Sequence, residues 1–119
     1  MADVILIDGR SGAGKTELAE QIAHVTPGAQ VVHLDDLYPG WDGLDAGSAA
    51  VAHLLTTYRW RSWDWARRRP GRFKQIDETR PIIVEGVGAL SRASRPFARV
   101  AIWVELDDST RKEIGRAHV

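Results

Sequence analysis

The 119-residue sequence contains no cysteine, which excludes disulfides, thiolate metal sites and a cysteine nucleophile and leaves the compartment open. It has no excess charge of either sign. Sixteen Lys and Arg meet sixteen Asp and Glu, and a net charge of zero gives no ground for a nucleic-acid or membrane-surface partner. No apolar run approaches the ~20 residues of a membrane span, and the N-terminus has no basic region followed by an apolar stretch. There is no internal repeat or low-complexity tract. A soluble, cytoplasmic protein is the expectation, and the length allows one domain with a modest core.

What is present is organised around Gly9-Arg10-Ser11-Gly12-Ala13-Gly14-Lys15-Thr16. The apolar run Val4-Ile5-Leu6-Ile7 precedes it, and Leu18, Ala19, Ile22 and Ala23 behind it form one helical face. In that strand–loop–helix setting the spacing G-x-x-x-x-G-K-T reads as a phosphate-binding P-loop. Its glycines let successive backbone N–H groups turn inward as an anion nest, and the helix adds the positive end of its dipole. Lys15 can follow the β- and γ-phosphates as a mobile charge, and the Thr16 hydroxyl can take one site on Mg²⁺. ATP and Mg²⁺ are therefore the expected cofactors.

Along the chain, Val4 to Asp8 reads as a buried parallel strand because it is continuously apolar and β-branched. A helix from about Gly14 stops near Val25 at Thr26-Pro27-Gly28. Val31 to Leu34 is a second strand, with Asp35-Asp36 at its carboxyl end, where open α/β sheets bind their ligands. If that strand continues, the two carboxylates point to opposite sides. Tyr38 to Gly43 is turn-rich. A helix follows with Ser48 as N-cap and Val51, Leu54, Leu55 and Tyr58 on one face. Residues 59–77 read as a protruding hairpin-like insertion containing Trp60, Trp63 and Trp65, with Arg67-Arg68-Arg69 as a solvated basic turn first and an approach to phosphates as its alternative. Pro81 to Val84 is a third core strand ending in Glu85-Gly86, Ser91 to Ala98 a short helix or turn, and Val100 to Val104 a fourth strand. Trp60 and Trp103 suit burial in the core or on the sheet. Ser109 suits a cap on a helix that barely begins.

Phosphoryl transfer needs positioning, charge neutralisation and a group to accept the acceptor hydroxyl's proton. Asp35 is the candidate base, with a turn-forming role as its plain alternative, and Glu85 is the candidate orienter of Mg²⁺ or its water. The sequence resembles the uridine kinase-like branch of the P-loop nucleoside kinases over almost its whole length. The resemblance rests on the P-loop, on Asp35-Asp36-Leu37-Tyr38, on Trp63-Asp64-Trp65 and on Glu85-Gly86. It implies that Asp35 is the base, shared with the metal side, and that Glu85 and Thr16 serve the metal. It also implies that Tyr38, Trp63, Asp64 and Trp65 contact the acceptor. The aromatic-Asp-aromatic element of that family usually begins with Tyr rather than Trp, which leaves the acceptor open. The strings LDDLYPGWDG and VEGVGA resemble a bacterial subgroup described only as uridine kinase-like or ATP-binding.

The fold expected from this resemblance is a P-loop NTPase α/β/α sandwich with a parallel sheet in the order 2-3-1-4 and no fifth strand. The arginine-bearing lid of such kinases would begin at Arg111 at best. Glu113 to Val119 reads as a possible translation of gag-atc-gga-aga-gca-cac-gtc, which occurs in a common sequencing adapter. A kinase-like domain over 1–112 and a non-native tail over 113–119 are therefore expected, with an exposed edge on the fourth strand that favours aggregation, at most weak phosphate binding and negligible turnover by this chain alone. The leading function is ATP-dependent phosphoryl transfer to a hydroxyl of a small metabolite, a nucleoside first. The alternatives are a nucleotide-binding switch or regulatory ATPase, and a kinase for a sugar or cofactor precursor. The sequence has no N-K-x-D guanine-reading element and no Asp closing the third strand, both of which weigh against the switch.

Overall fold

The computed structural model describes residues 3–10, 12–37, 44–105 and 116–118. Its centre is a mostly parallel five-stranded sheet. In chain order the elements are β1 (Val4–Gly9), α1 (Lys15–Val25), β2 (Gln30–His33), a 3₁₀ turn (Leu34–Asp36), α2 (Leu44–Thr57), β3 (Arg59–Asp64) and β4 (Arg69–Gln75). They continue with β5 (Ile82–Glu85), a second 3₁₀ turn (Arg95–Phe97), β6 (Val100–Glu105) and β7 (Arg116–His118). The sheet runs β2-β5-β1-β6-β7, and β3 and β4 form a separate antiparallel ribbon.

β1 is central, paired in parallel with β5 on one side and β6 on the other. That position explains its near-continuous apolar sequence, since a strand with neighbours on both edges and cover on both faces has almost no wet side. Alternate residues feed two cores. Val4 and Leu6 join Val32, Ile82 and Val84 beneath Val51, Leu54 and Leu55 of α2. Ile7, Ile83, Ile102 and Val104 meet Ala13 and Ala19 of the P-loop and α1, with Leu18, Ile22 and Ala23 around them. One helix thus covers each face.

Several features depart from the sequence expectations. α2 begins at Leu44, so Ser48 lies inside the helix rather than at its cap. An N-cap contributes only ~1 kcal/mol, too little to fix a boundary by itself. Tyr58 stands just past the helix end with φ 57°. β2 stops at His33, and Asp35 and Asp36 lie in the 3₁₀ turn, so the alternation of a strand does not separate their side chains. Trp103 is 39% exposed. It alternates along β6 with Ile102 and Val104, which belong to the α1-side core, whereas Trp60 is packed against the α2-side core. The outer edge of β6 is not open throughout, because Trp103, Val104 and Glu105 pair antiparallel with His118, Ala117 and Arg116. An unpaired strand edge presents N–H and C=O groups that favour such an addition. The expected lid start at Arg111 and cap at Ser109 lie outside the described residues.

The insertion over 59–77 is the β3–β4 hairpin. It is moored to the residue after the first 3₁₀ turn by a bridge between Ser62 and Leu37, and to the α2-side core by Ile76.

Candidate functional site

The P-loop leaves β1 at Gly9, which has φ +148° and whose absent Cβ would stand 2.3 Å from the Val104 carbonyl oxygen. Only glycine permits that close approach of the loop root to β6. The Ala13 N–H donates to the Arg10 carbonyl at 3.1 Å, and Ala13 is buried. Gly14 then starts α1 with φ 97° and no side-chain cap. The first-turn N–H groups of a helix have no partner within the helix, and together with the dipole they make its N-terminus a ready anion site. Lys15 is nearly buried, and its Nζ donates to the Arg10 carbonyl at 2.7 Å, spanning the loop from end to start. Ser11 lies outside the described residues.

Thr16, on the first turn of α1, donates its hydroxyl to Glu85 Oε2 at 3.0 Å. Glu85 ends β5 and is 6% exposed. Two residues 69 apart in sequence are thereby joined at the carboxyl end of the sheet. The same Oε2 is 2.5 Å from Nδ1 of His33 at the end of β2. A hydroxyl and a carboxylate are hard oxygen donors of the kind Mg²⁺ takes, usually with one or two carboxylates and the substrate's own phosphates. The residues present therefore fit Mg-ATP, although no cluster of three or more His, Asp or Glu suited to a metal occurs among the described residues.

Asp8 has a structural part in the site that the sequence pattern did not signal. It is 3% exposed, and its Oδ1 accepts the N–H groups of Gly9 and Gly88 while Oδ2 accepts that of Leu90. One buried carboxylate thus ties the root of the P-loop to the loop after Glu85. The only advance hint was an Asp closing an apolar strand. His33 was likewise missed, because its partner is 52 residues away.

Asp35 and Asp36 are exposed. Among the described residues the Asp35 carboxylate has no hydrogen bond or ion pair, so it is not brought into contact with Thr16 or Glu85. Its backbone oxygen accepts the Trp65 indole N–H at 3.3 Å. Trp65 is 66% exposed and meets Trp63 edge-on, with ring centroids 6.3 Å apart. Asp64 Oδ1 accepts the Arg67 N–H at 3.1 Å, closing the hairpin turn. Trp63, Asp64 and Trp65 are therefore gathered at the hairpin tip beside the turn that carries Asp35. Tyr38 lies outside the described residues. An apolar cavity of about 550 Å³ separates the hairpin from α2, walled by Leu37, Ala50, His53, Trp60 and Phe73 among others.

No family model matches the sequence, and no curated protein matches it. Among solved structures, the chain is similar to a possible uridine kinase from Bacillus stearothermophilus, with a TM-score of 0.68 and 20% identity over 92% of this chain and 74% of that one. At that identity the likeness is one of fold. The two share an α/β architecture with a mostly parallel sheet.

Proposed function

We propose that this protein transfers a phosphoryl group from Mg-ATP to a hydroxyl of a small metabolite, in the manner of a uridine kinase-like P-loop kinase. The observation that carries the reading is the Thr16–Glu85 contact at 3.0 Å, at the foot of a loop built to hold phosphate. The fold neighbour, a possible uridine kinase, supports it.

In this reading the loop N–H groups and the first turn of α1 hold the phosphates, and Lys15 exchanges its bond to Arg10 for one to the γ-phosphoryl oxygens. Thr16 and Glu85 would hold Mg²⁺, which would supply charge neutralisation for the phosphates. Asp35 accepts the hydroxyl proton of the acceptor, and its exposure beside the aromatic hairpin tip leaves it room to do so. Asp8 fixes the relative position of the P-loop and the Glu85 loop, and Trp63 and Trp65 offer π-faces to the acceptor. No described helix is long and apolar enough to cross a membrane.

The test has two arms. A fluorescent ATP analogue with Mg²⁺ should bind, and Lys15→Ala should remove most of that binding without unfolding the protein. Transfer is read as ADP release that depends on an added acceptor from a panel of nucleosides, sugars and their monophosphates, and such release by this chain would overturn the expectation of negligible turnover drawn from its sequence. Equal analogue binding by Lys15→Ala and parent would contradict the P-loop assignment, and ATP turnover responsive only to a protein partner would favour a switch.

A further inference from the structure

The charge balance of the chain conceals a strong local asymmetry. Between residues 59 and 75 stand seven cations and one carboxylate, a net charge of +6, while the rest of the chain carries −6. Among the described residues the ion pairs are His33–Glu85 and Arg99–Asp3, neither of which involves the hairpin. Like charges crowded on a two-stranded ribbon repel one another, so the ribbon is loaded against its own stability.

Some of this charge is spent inside the ribbon. The Arg59 and Arg61 guanidinium groups stand 5.3 and 5.2 Å from the Phe73 ring centroid, and the Lys74 ammonium 5.1 Å from that of Trp60. The Arg61 Nε also donates to the Gly71 carbonyl at 3.2 Å. The side chains of Arg67, Arg69 and Arg72 have no such partner among the described residues. All three line one cavity of about 790 Å³, together with Arg61 and Lys74 and a wall formed by Trp63. That volume is within the ordinary range for small-molecule sites. Asp64, the carboxylate of the ribbon, also lines it but already accepts the Arg67 N–H.

The cavity is placed against the candidate site. Asp36, next to Asp35, lines it, the bridge from Ser62 to Leu37 holds the ribbon there, and Trp65 donates to the Asp35 carbonyl. A molecule whose anionic end is held by arginine forks in this cavity therefore has its other end close to the turn that bears the candidate base. Arginine suits this task because its planar fork matches phosphate oxygens two at a time.

We infer that the β3–β4 hairpin is an anion-binding subsite, and that the hydroxyl acceptor is itself a small phosphate monoester held by Arg69 and Arg72 rather than a neutral nucleoside. This rests on the kinase reading above for the meaning of acceptor, while the subsite itself stands on the hairpin alone. Oligonucleotide binding would use the same cations and the exposed aromatic faces, and is the outcome to be separated.

The experiment uses the full chain with its P-loop saturated by a non-hydrolysable Mg-ATP analogue. Calorimetry compares matched probes, ribose 5-phosphate with ribose and uridine 5′-monophosphate with uridine. The phosphorylated member of at least one pair should bind about 10-fold or more tightly, since charge-assisted forks separate the two. The advantage should shrink as salt is raised. Arg69→Ala and Arg72→Ala should each remove most of the advantage, Arg69→Lys should retain part of it, and the fluorescent ATP analogue should bind all three variants as it binds the parent. Equal binding within both pairs overturns the inference. So does a phosphate advantage that survives both Ala variants but is lost in Lys15→Ala, because the probe is then in the P-loop. A single-stranded oligonucleotide that binds while neither monoester does overturns it in favour of nucleic acid. Should the ATP analogue fail to bind while the monoesters bind and respond to Arg69→Ala, the kinase reading fails and the anion subsite stands.

Discussion

Gly9→Ala is the substitution whose cost can be worked most directly from the structure. The new methyl would meet the Val104 carbonyl oxygen at 2.3 Å, against ordinary carbon contacts of about 3.5 Å. The obstacle is backbone in the middle of the sheet, where Gly9 and Val104 are register partners of β1 and β6, so no side chain can swing away. Overpacking of this kind costs roughly 1–3 kcal/mol, and a side-chain-bearing residue forced to φ +148° adds roughly 1–3 kcal/mol. The sum, about 2–6 kcal/mol, is a large part of the ~5–15 kcal/mol by which a domain is stable. At about 4 °C per kcal/mol for a chain of this size, the thermal midpoint should fall by roughly 8–24 °C. Gly12→Ala is the control within the same motif. Gly12 has φ +80° but nothing within 4 Å of its notional Cβ, so only the left-handed backbone cost of roughly 1–2 kcal/mol applies, or about 4–8 °C. Far-UV circular dichroism melts of the three proteins read both values. If Gly9→Ala melts no lower than Gly12→Ala, the close approach of the P-loop root to β6 is not what requires glycine.

Asp35→Asn should leave binding of the fluorescent ATP analogue intact and lower acceptor-dependent transfer by about 10²–10⁴-fold if Asp35 is the base. A larger loss in Asp36→Asn, measured in parallel, would move the base by one residue. Asp8→Ala should remove the acceptor of the buried Gly9 N–H and of the half-buried Leu90 N–H, and at about 1–3 kcal/mol for a buried group left unsatisfied the urea midpoint should drop beyond that of an exposed-site control such as Glu20→Ala. Equal midpoints would mean that the carboxylate does not hold those loops. Asp77 accepts from the hydroxyl and N–H of Thr79, which hold its carboxyl below the ordinary value, with burial opposing and Arg80 assisting. A depressed folded-state pKa contributes stability above the unfolded value of 3.8 that is lost as pH falls through the folded one. Thr79→Val should therefore raise the Asp77 pKa seen by carbon NMR titration, and an unchanged titration would assign the shift elsewhere.

The P-loop, the core strands and the helix behind the loop were legible in the sequence because each is a local pattern. A continuous apolar run, a 3.6-residue apolar period and a glycine spacing are all set within about a dozen neighbouring residues. The tryptophan-rich hairpin was legible in outline for the same reason, since Pro70-Gly71 and the flanking aromatics mark a ribbon near its turn. What the sequence left open depends on register between distant segments. Glu85 could be named as a strand-end carboxylate, but that one oxygen receives both Thr16 and His33 follows only from β2 and β1 flanking β5 with their ends level. Asp8 reads as the last residue of a strand until the loop after β5 is folded over it. Trp103 suits the core or the sheet surface, and its 39% exposure is decided by the packing around β6, while Arg67 and Arg69 of the solvated basic turn line one cavity with Arg72 and Lys74 only once the two strands of the hairpin pair. The sequence by itself determined which segments form the core strands and which helix follows the first of them, because burial and backbone freedom are written residue by residue. Tertiary structure alone decided which polar groups meet, because a polar side chain must find its partner wherever the sheet register places one.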